Sequence, residues 1–263
     1  MLCGALICFL YVAAGSHAIA AESLIIEASP SLKGVLQELA TSFERSHPDI
    51  RVKLHFNTGL MMRQGIAGRQ NSMTSQFFIE EGPVHLVAPG GDELISRLEM
   101  KYYLLPGTKR TYAKDQLVLV VPESLVDAPE SLKALSRSKV RLAVAEPGRT
   151  HLGIQTEQAL RALGLASSFS GRLDQATDSR GVVDHMLGGH AEAGIIYGHQ
   201  AARERERVRV VEIIKEGYEP IVHSMAMERY CPNRDLCKTF LDYLQSAEAQ
   251  SAVRRAGYGA PGS

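Results

Sequence analysis

The chain has no tryptophan and only four cysteines, and its 29 Lys plus Arg are balanced by 29 Asp plus Glu. A net charge of zero excludes the basic excess with which dedicated nucleic-acid binders grip phosphates. It leaves room for a small anion held by neutral donors. Long hydrophobic runs are also missing: beyond Ala20 no apolar stretch approaches the roughly 20 residues of a membrane helix. There is no P-loop, dinucleotide fingerprint, HExxH or zinc-type spacing, and no G-x-S-x-G elbow. Ser31, His85 and Asp92 include triad residue types but lack the turn and order a triad needs, so the chain is not expected to be an enzyme.

What is present begins with an apolar run from Leu2 to Gly15, followed by Ala18-Ile19-Ala20. The run is too short to span a bilayer comfortably, and the small-x-small ending fits a cleavage site, so residues 1–20 read as a secretory signal. No Lys or Arg precedes the run. Export to the periplasm is the expectation. Cys3 and Cys8 leave with the signal, and Cys3 has no lipobox-like surroundings. Cys231 and Cys237 remain, close together in an exported chain, and are candidates for a disulfide.

Strand-like and helical patterns alternate along the rest. Leu24-Ile25-Ile26 leads into a Ser/Pro/Ser turn and a helix carrying Leu32, Val35, Leu36, Leu39 and Phe43, with Ser31 at the expected N-cap. Asp49 to Phe56 alternates as a strand, Asn57-Thr58-Gly59 turns, and a second helix follows. Arg69 to Gly82 has no clear pattern. Further strands are expected at Pro83–Ala88, Lys114–Pro122, Val140–Val144, Ala193–Tyr197, Val208–Ile213 and Ile221–Met227. Helices are expected near 92–101, 131–136, 153–163, 180–187, 198–205, 234–244 and 247–256. Strands alternating with helices define an α/β class with mainly parallel sheets.

Five strand-to-helix turns share a chemistry. They centre on Ser29/Ser31, Thr58, Arg149 to Leu152, Ser179 and Tyr197. Ligands of open α/β folds sit at the carboxyl ends of strands, where these turns lie. A helix N-terminus offers unpaired N–H groups and the positive end of a dipole, which suits an anion. Any one such serine is more often a plain cap. Other polar features have simple structural readings: His85 as a hydrogen-bonded strand histidine, Arg203 to Arg207 as an exposed charged helix end, and Arg149 with His151 as a solvated loop or an electrostatic lure for an anion.

Taken in order, these segments resemble the periplasmic molybdate-binding proteins of ABC importers. The resemblance is carried by Ala28-Ser29-Pro30-Ser31-Leu32 with Leu36-Gln37-Glu38-Leu39-Ala40, by Thr58 to Gln64, by LAVAEPGRTHLGI at 142–154, by Asp178-Ser179-Arg180-Gly181, by Gly194 to Gly198 and by Phe240 to Leu244. It covers nearly the whole chain after the signal. It departs at His85, where the family has an acidic residue, at the extra residues between Gly68 and Pro83, and at Leu152, which is bulkier than usual.

The resemblance implies a two-lobed periplasmic-binding-protein (type II) fold. Lobe I would comprise residues 22–112 and 222–263 and lobe II residues 113–221, with 116–121 and 221–227 near the hinge. It implies that Ser31 and Thr58 donate from lobe I, that Leu152 and Ser179 give backbone N–H groups from lobe II, and that Tyr197 gives its phenol. All are donors, as a fully deprotonated oxyanion requires. The expected ligand is molybdate or tungstate, with no cofactor and no direct side-chain ligation of a metal. The expected partner is the membrane permease of an ABC transporter, and the expected state is a monomer. Alternatives are a receptor for sulfate, phosphate or a carboxylate, or a sensory module of the same fold.

Overall fold

The structure is a computed structural model that describes residues 21–68, 78–79 and 82–261. The expected signal at 1–20, with Cys3 and Cys8, and most of the unpatterned stretch from Arg69 to Gly82 lie outside the described residues.

In chain order, β1 (Glu22–Ala28) passes through a 3-10 turn (Pro30–Leu32) into α1 (Lys33–Ser46), followed by β2 (Ile50–Phe56) and α2 (Gly59–Gly68). The two-residue strands β3 (Phe78–Ile79) and β4 (Gly82–Pro83) pair with each other. Then come β5 (Leu86–Ala88), α3 (Asp92–Met100) and β6 (Arg110–Asp115). A second series holds β7 (Leu117–Pro122), α4 (Leu132–Ser136), β8 (Leu142–Ala145), α5 (His151–Ala162), β9 (Leu173–Ala176), α6 (Ser179–Leu187), β10 (Ala193–Tyr197), α7 (Gly198–Arg203) and β11 (Val208–Ile214). The chain finishes with β12 (Ile221–Met227), α8 (Arg234–Tyr243) and α9 (Ala247–Arg255).

Two five-stranded mixed sheets result, ordered β2-β1-β5-β12-β6 and β11-β7-β10-β8-β9. In the first, β12 pairs antiparallel with both β5 and β6. In the second, β7 pairs antiparallel with both β10 and β11. Every other strand of a sheet therefore runs one way, and each reversed strand follows directly on a passage between the sheets. The apolar run from Lys114 to Pro122, read as one strand, is divided between the two sheets. Its break is at Gln116, whose N–H donates to Asp115 Oδ1 at 2.8 Å and whose carbonyl accepts from Gly198 at 2.9 Å. β6 stays paired with β12 as far as Asp115↔Ile221, so the chain crosses at Gln116.

Each sheet has its own core. The first is built on α1, whose Val35, Leu36, Leu39 and Phe43 are fully buried against β1 and the C-terminal helices. Phe43 meets Phe240 edge-on at 4.8 Å and Tyr243 at 5.1 Å, so truncating it to alanine would cost about 3–5 kcal/mol. The second core gathers β7, β8 and β10 with α5 and α6. Gly153 makes the α5 contact close: a Cβ there would lie 2.5 Å from the Ala145 carbonyl oxygen. That approach pins the N-terminus of α5 to the carboxyl end of β8. The sulfur atoms of Cys231 and Cys237 are joined beside the first core, and both residues are buried.

Candidate functional site

The carboxyl ends of the two sheets face each other. Gly91, at the end of β5's turn, comes so near the second sheet that a Cβ on it would lie 3.6 Å from His151. His151 Nε2 is 3.7 Å from Glu93 Oε2, one contact across the cleft between α5 and α3. A small cavity of about 50 Å³ lies here, lined by Gly90, Gly91, Asp92, Glu93, His151, Gln155, Tyr197 and residues 219–222.

Of the five residues expected to bind the anion, Tyr197 lines this cavity. It ends β10, and its phenol donates to Gln155 Oε1 at 3.1 Å. Burial, and then the charge of Asp115, push this phenol far above its ordinary pKa, so it remains a donor. Ser31 lies behind Gly90. A Cβ on Gly90 would fall 3.3 Å from Ser31 Oγ and 2.9 Å from Ser29 Cβ.

Ser31 is not the N-cap that its position predicts. Ser29 occupies the cap of a 3-10 turn begun by Pro30, α1 starts only at Lys33, and neither hydroxyl caps. The two hydroxyls instead meet at 3.0 Å. Proline's fixed φ favours the first helical position and so moves the start of the turn forward.

Thr58 follows β2 on the same edge, since Asn57 N–H donates to the Ala28 carbonyl at 2.9 Å. Its hydroxyl accepts from Met61 N–H at 3.3 Å and thus caps α2. Leu152 is the second residue of α5. Its side chain is buried in the core, so its backbone N–H is the group it could offer an anion. Thr150 caps this helix through Gly153 N–H at 2.9 Å, leaving the N–H groups of the two residues before it to other acceptors. Ser179 opens α6 behind an Asp178 cap, and Gln200 Nε2 donates to its carbonyl at 2.7 Å. Gln155 of α5 bonds Tyr197 and Gln200 of α7 bonds Ser179, which ties their turns together, whereas Leu152 and Ser179 do not line the cavity. Ser31 and Thr58 stand on neighbouring strands of the facing sheet.

Several of the nearby charges are paired, although Asp92 keeps one buried oxygen, Oδ1, without a hydrogen-bond partner. Asp92 binds Lys109, and Glu93 binds Arg97. Arg149 pairs with Glu146 at 3.6 Å and Arg180 with Asp184 at 3.9 Å, both arginines largely in solvent. His85 is structural, though it lies just ahead of β5 rather than within a strand: its Nδ1 accepts from Ile25 N–H at 3.3 Å, and burial lowers its pKa. No group of three or more His, Cys, Asp and Glu among the described residues is arranged to hold a metal ion. Gly90, Gly91 and Gln155 carry no motif and were not expected at the cleft.

Residues 24–259 match the family described as bacterial extracellular solute-binding protein. The chain belongs to this family. Within this solute-binding family it is similar to the molybdate-binding protein ModA of Escherichia coli, at 24% identity over 94% of this chain and 93% of that one. A substrate-binding domain assigned to a molybdenum ABC transporter of Clostridium difficile superposes with a TM-score of 0.76 at 22% identity, over 90% of this chain and 98% of that one. The sulfate-binding protein SubI of Mycobacterium tuberculosis superposes with a TM-score of 0.70 at 14% identity, over 91% and 87%. These structural likenesses establish the two-lobed binding-protein fold, and proteins named for different ligands share it.

Proposed function

We propose that this solute-binding protein captures a tetrahedral oxyanion, molybdate or tungstate, between its two lobes and delivers it to the permease of an ABC importer. The lobes are close to residues 22–112 with 222–263 and residues 113–221, except that β6 carries the first lobe on to Asp115 and β12 returns to it at Ile221, and the protein acts in the periplasm as a monomer after removal of residues 1–20. It needs no cofactor and performs no catalysis. Ser31, Thr58, Leu152, Ser179 and Tyr197 supply the donors, and Cys231 and Cys237 form a structural disulfide.

The observation that carries this reading is the chemistry of the facing turns. The hydroxyls of Ser29, Ser31 and Thr58, the first N–H groups of α5 and the protonated Tyr197 phenol lie in turns that follow β1, β2, β8 and β10, which supports a shared donor set. Such donors satisfy an acceptor-only anion without a countercharge. About six bonds, each worth roughly 1.5–3 kcal/mol to a charged acceptor, cover the roughly −12 kcal/mol of nanomolar binding after the costs of closure. A carboxylate ligand usually recruits an arginine. The outward orientation of Arg149 and Arg180 counts against one.

Calorimetric titration with molybdate, tungstate, sulfate and phosphate tests the proposal. Heat and a thermal shift with molybdate or tungstate are expected. Silence with both metal oxyanions would refute it, and a response to sulfate or phosphate alone would reassign the ligand.

A further inference from the structure

Where the two sheets join, a set of buried polar side chains remains that anion capture, as described so far, does not use. Asp115 ends β6 one residue before the crossing, and its side chain is 2% exposed. Its Oδ2 accepts from His199 Nδ1 and lies 3.9 Å from His223 Nε2. Its Oδ1 accepts from the backbone N–H of His199 at 3.3 Å. His199 belongs to α7 of the second sheet's lobe, two residues after Tyr197, whereas His223 belongs to β12 of the first. One carboxylate thus hydrogen-bonds a histidine of one lobe and lies beside a histidine of the other.

Each histidine reaches onward to a turn of the cleft. His223 Nδ1 donates to the Gly90 carbonyl at 3.1 Å, and Gly90 lies against the Ser29–Ser31 hydroxyl pair. The His199 ring stacks on Tyr258 at 4.3 Å, and the Tyr258 phenol donates to the Ser31 carbonyl at 3.3 Å. Tyr258 can approach because Gly257 precedes it: φ there is +87°, and a Cβ would lie 3.2 Å from His199 Cα. Burial drives the Tyr258 phenol well above its usual pKa, with the Asp115 charge acting in the same direction, so it stays a donor. His223 Nε2 is buried and has no hydrogen-bond partner, and the Asp115 carboxylate lies 3.9 Å from it.

We infer that Asp115 is a positioning residue for the anion cleft: through His199, His223 and Tyr258 it sets the Tyr197 turn of one lobe against the Ser31 and Gly90 turns of the other. The functional side of this inference rests on the oxyanion reading; its geometry does not. A buried charged set of this kind adds little to stability compared with apolar side chains of similar volume. What it adds is direction, because each bond has a fixed donor and acceptor. An apolar filling of the joint would let the two lobes slide, and the donors would no longer converge on one anion.

The test uses the mature protein and the variants D115N, H223N and the double D115N/H223N. Asparagine at 223 keeps a nitrogen near the Nδ1 position, able to serve the Gly90 carbonyl, and removes the one facing Asp115. Hydrogen exchange on the ligand-free protein reads the geometry without an anion. D115N is expected to speed exchange in both 88–92 and 197–200, and H223N to do so in 197–200 although His223 bonds nothing there. Molybdate affinity is expected to fall about ten- to hundredfold in D115N, which loses the charge-assisted bond to His199, and by a smaller factor in H223N, which loses only the 3.9 Å contact, with the double variant no weaker than D115N. Wild-type exchange at 197–200 in H223N, or losses that simply add, would overturn the inference. If D115N does not fold, H223N alone decides through the same two readouts. Failure of the oxyanion reading shows separately, as wild-type protein that gives no heat, and the exchange results then still judge the geometry.

Discussion

Replacing Gly90 by alanine probes the cleft most directly. Gly90 has φ +85°, a backbone conformation that costs an L-residue about 1–2 kcal/mol. Its new Cβ would lie 2.9 Å from Ser29 Cβ, 3.0 Å from Ser29 Oγ and 3.3 Å from Ser31 Oγ. The two serines cannot step aside independently, since their hydroxyls are bonded to each other at 3.0 Å. Overpacking of this kind costs about 1–3 kcal/mol. The total, about 2–5 kcal/mol, corresponds to a Tm lower by roughly 5–15 °C in a chain of this size. Gly107 supplies the control, because its φ is +79° and nothing lies within 4 Å of an added Cβ. Gly107→Ala should therefore show the backbone cost alone, about 1–2 kcal/mol. Urea unfolding gives the two stabilities and calorimetry the two anion affinities. Gly90→Ala should be the less stable variant and the weaker binder, because the clash displaces the Ser31 hydroxyl. Equal stabilities and equal affinities for the two variants would refute the reasoning.

On the proposed role of its phenol, which would turn from Gln155 to the anion, Tyr197→Phe should weaken molybdate binding by about 1–2 kcal/mol in calorimetry; unchanged affinity removes Tyr197 from the site. Asp115 governs acid stability. Burial alone would raise its pKa, but the hydrogen bond from His199 and the adjacent imidazoles of His199 and His223 outweigh burial and hold it at about 2, below an unfolded value near ~3.9. A depressed carboxyl stabilises the fold above about pH 4, and that stability, on the order of 2 kcal/mol, is lost as the pH falls toward 2. Unfolding titrations across that window should accordingly be steeper for wild type than for Asp115→Asn, and superimposable slopes would contradict the assignment. Reduction of Cys231–Cys237 should lower stability by roughly 2–3 kcal/mol, the modest end expected of a short loop, and alkylation without reductant should find neither thiol free.

The fold was legible wherever one periodicity served one environment. The α1 stripe from Val35 to Phe43 and the apolar strands 193–197 and 221–227 form as their patterns predict. Legibility failed where a single pattern serves two sheets. Nothing in Lys114 to Pro122 marks Gln116 as a crossing, because the break is made by bonds to Asp115 and Gly198, residues whose roles depend on tertiary placement. β9 was missed because Leu173–Ala176 has little apolar signal; its place is set by parallel pairing with β8. At the site, a hydroxyl before a helix was visible as such, but which hydroxyl caps was not. Pro30 moves the turn, so Ser31 is freed while Thr58 caps. Gly90 and Gln155 carry no motif, and their proximity to Ser31 and Tyr197 exists only once the sheets face each other.

The joint explains why so few strands can carry the whole arrangement. Both passages between the sheets run side by side: β6 ends at Asp115 opposite Ile221, the first residue of β12. The two passages are adjacent strands, so opening of the proposed cleft is expected to bend both together. At that crossing the chain places a carboxylate beside two histidines, His199 and His223. Bending that separates these partners must also separate Tyr197 from Gly90, since each histidine is held to one of those turns. Ligand geometry and hinge geometry are thereby a single degree of freedom. A substitution at the joint should consequently change affinity for every anion the cleft accepts by a similar factor. A substitution at Ser31 or Tyr197 should change the preference among anions. Measuring molybdate and sulfate affinities for D115N and for S31A separates the two cases, and a selective loss in D115N would break the argument.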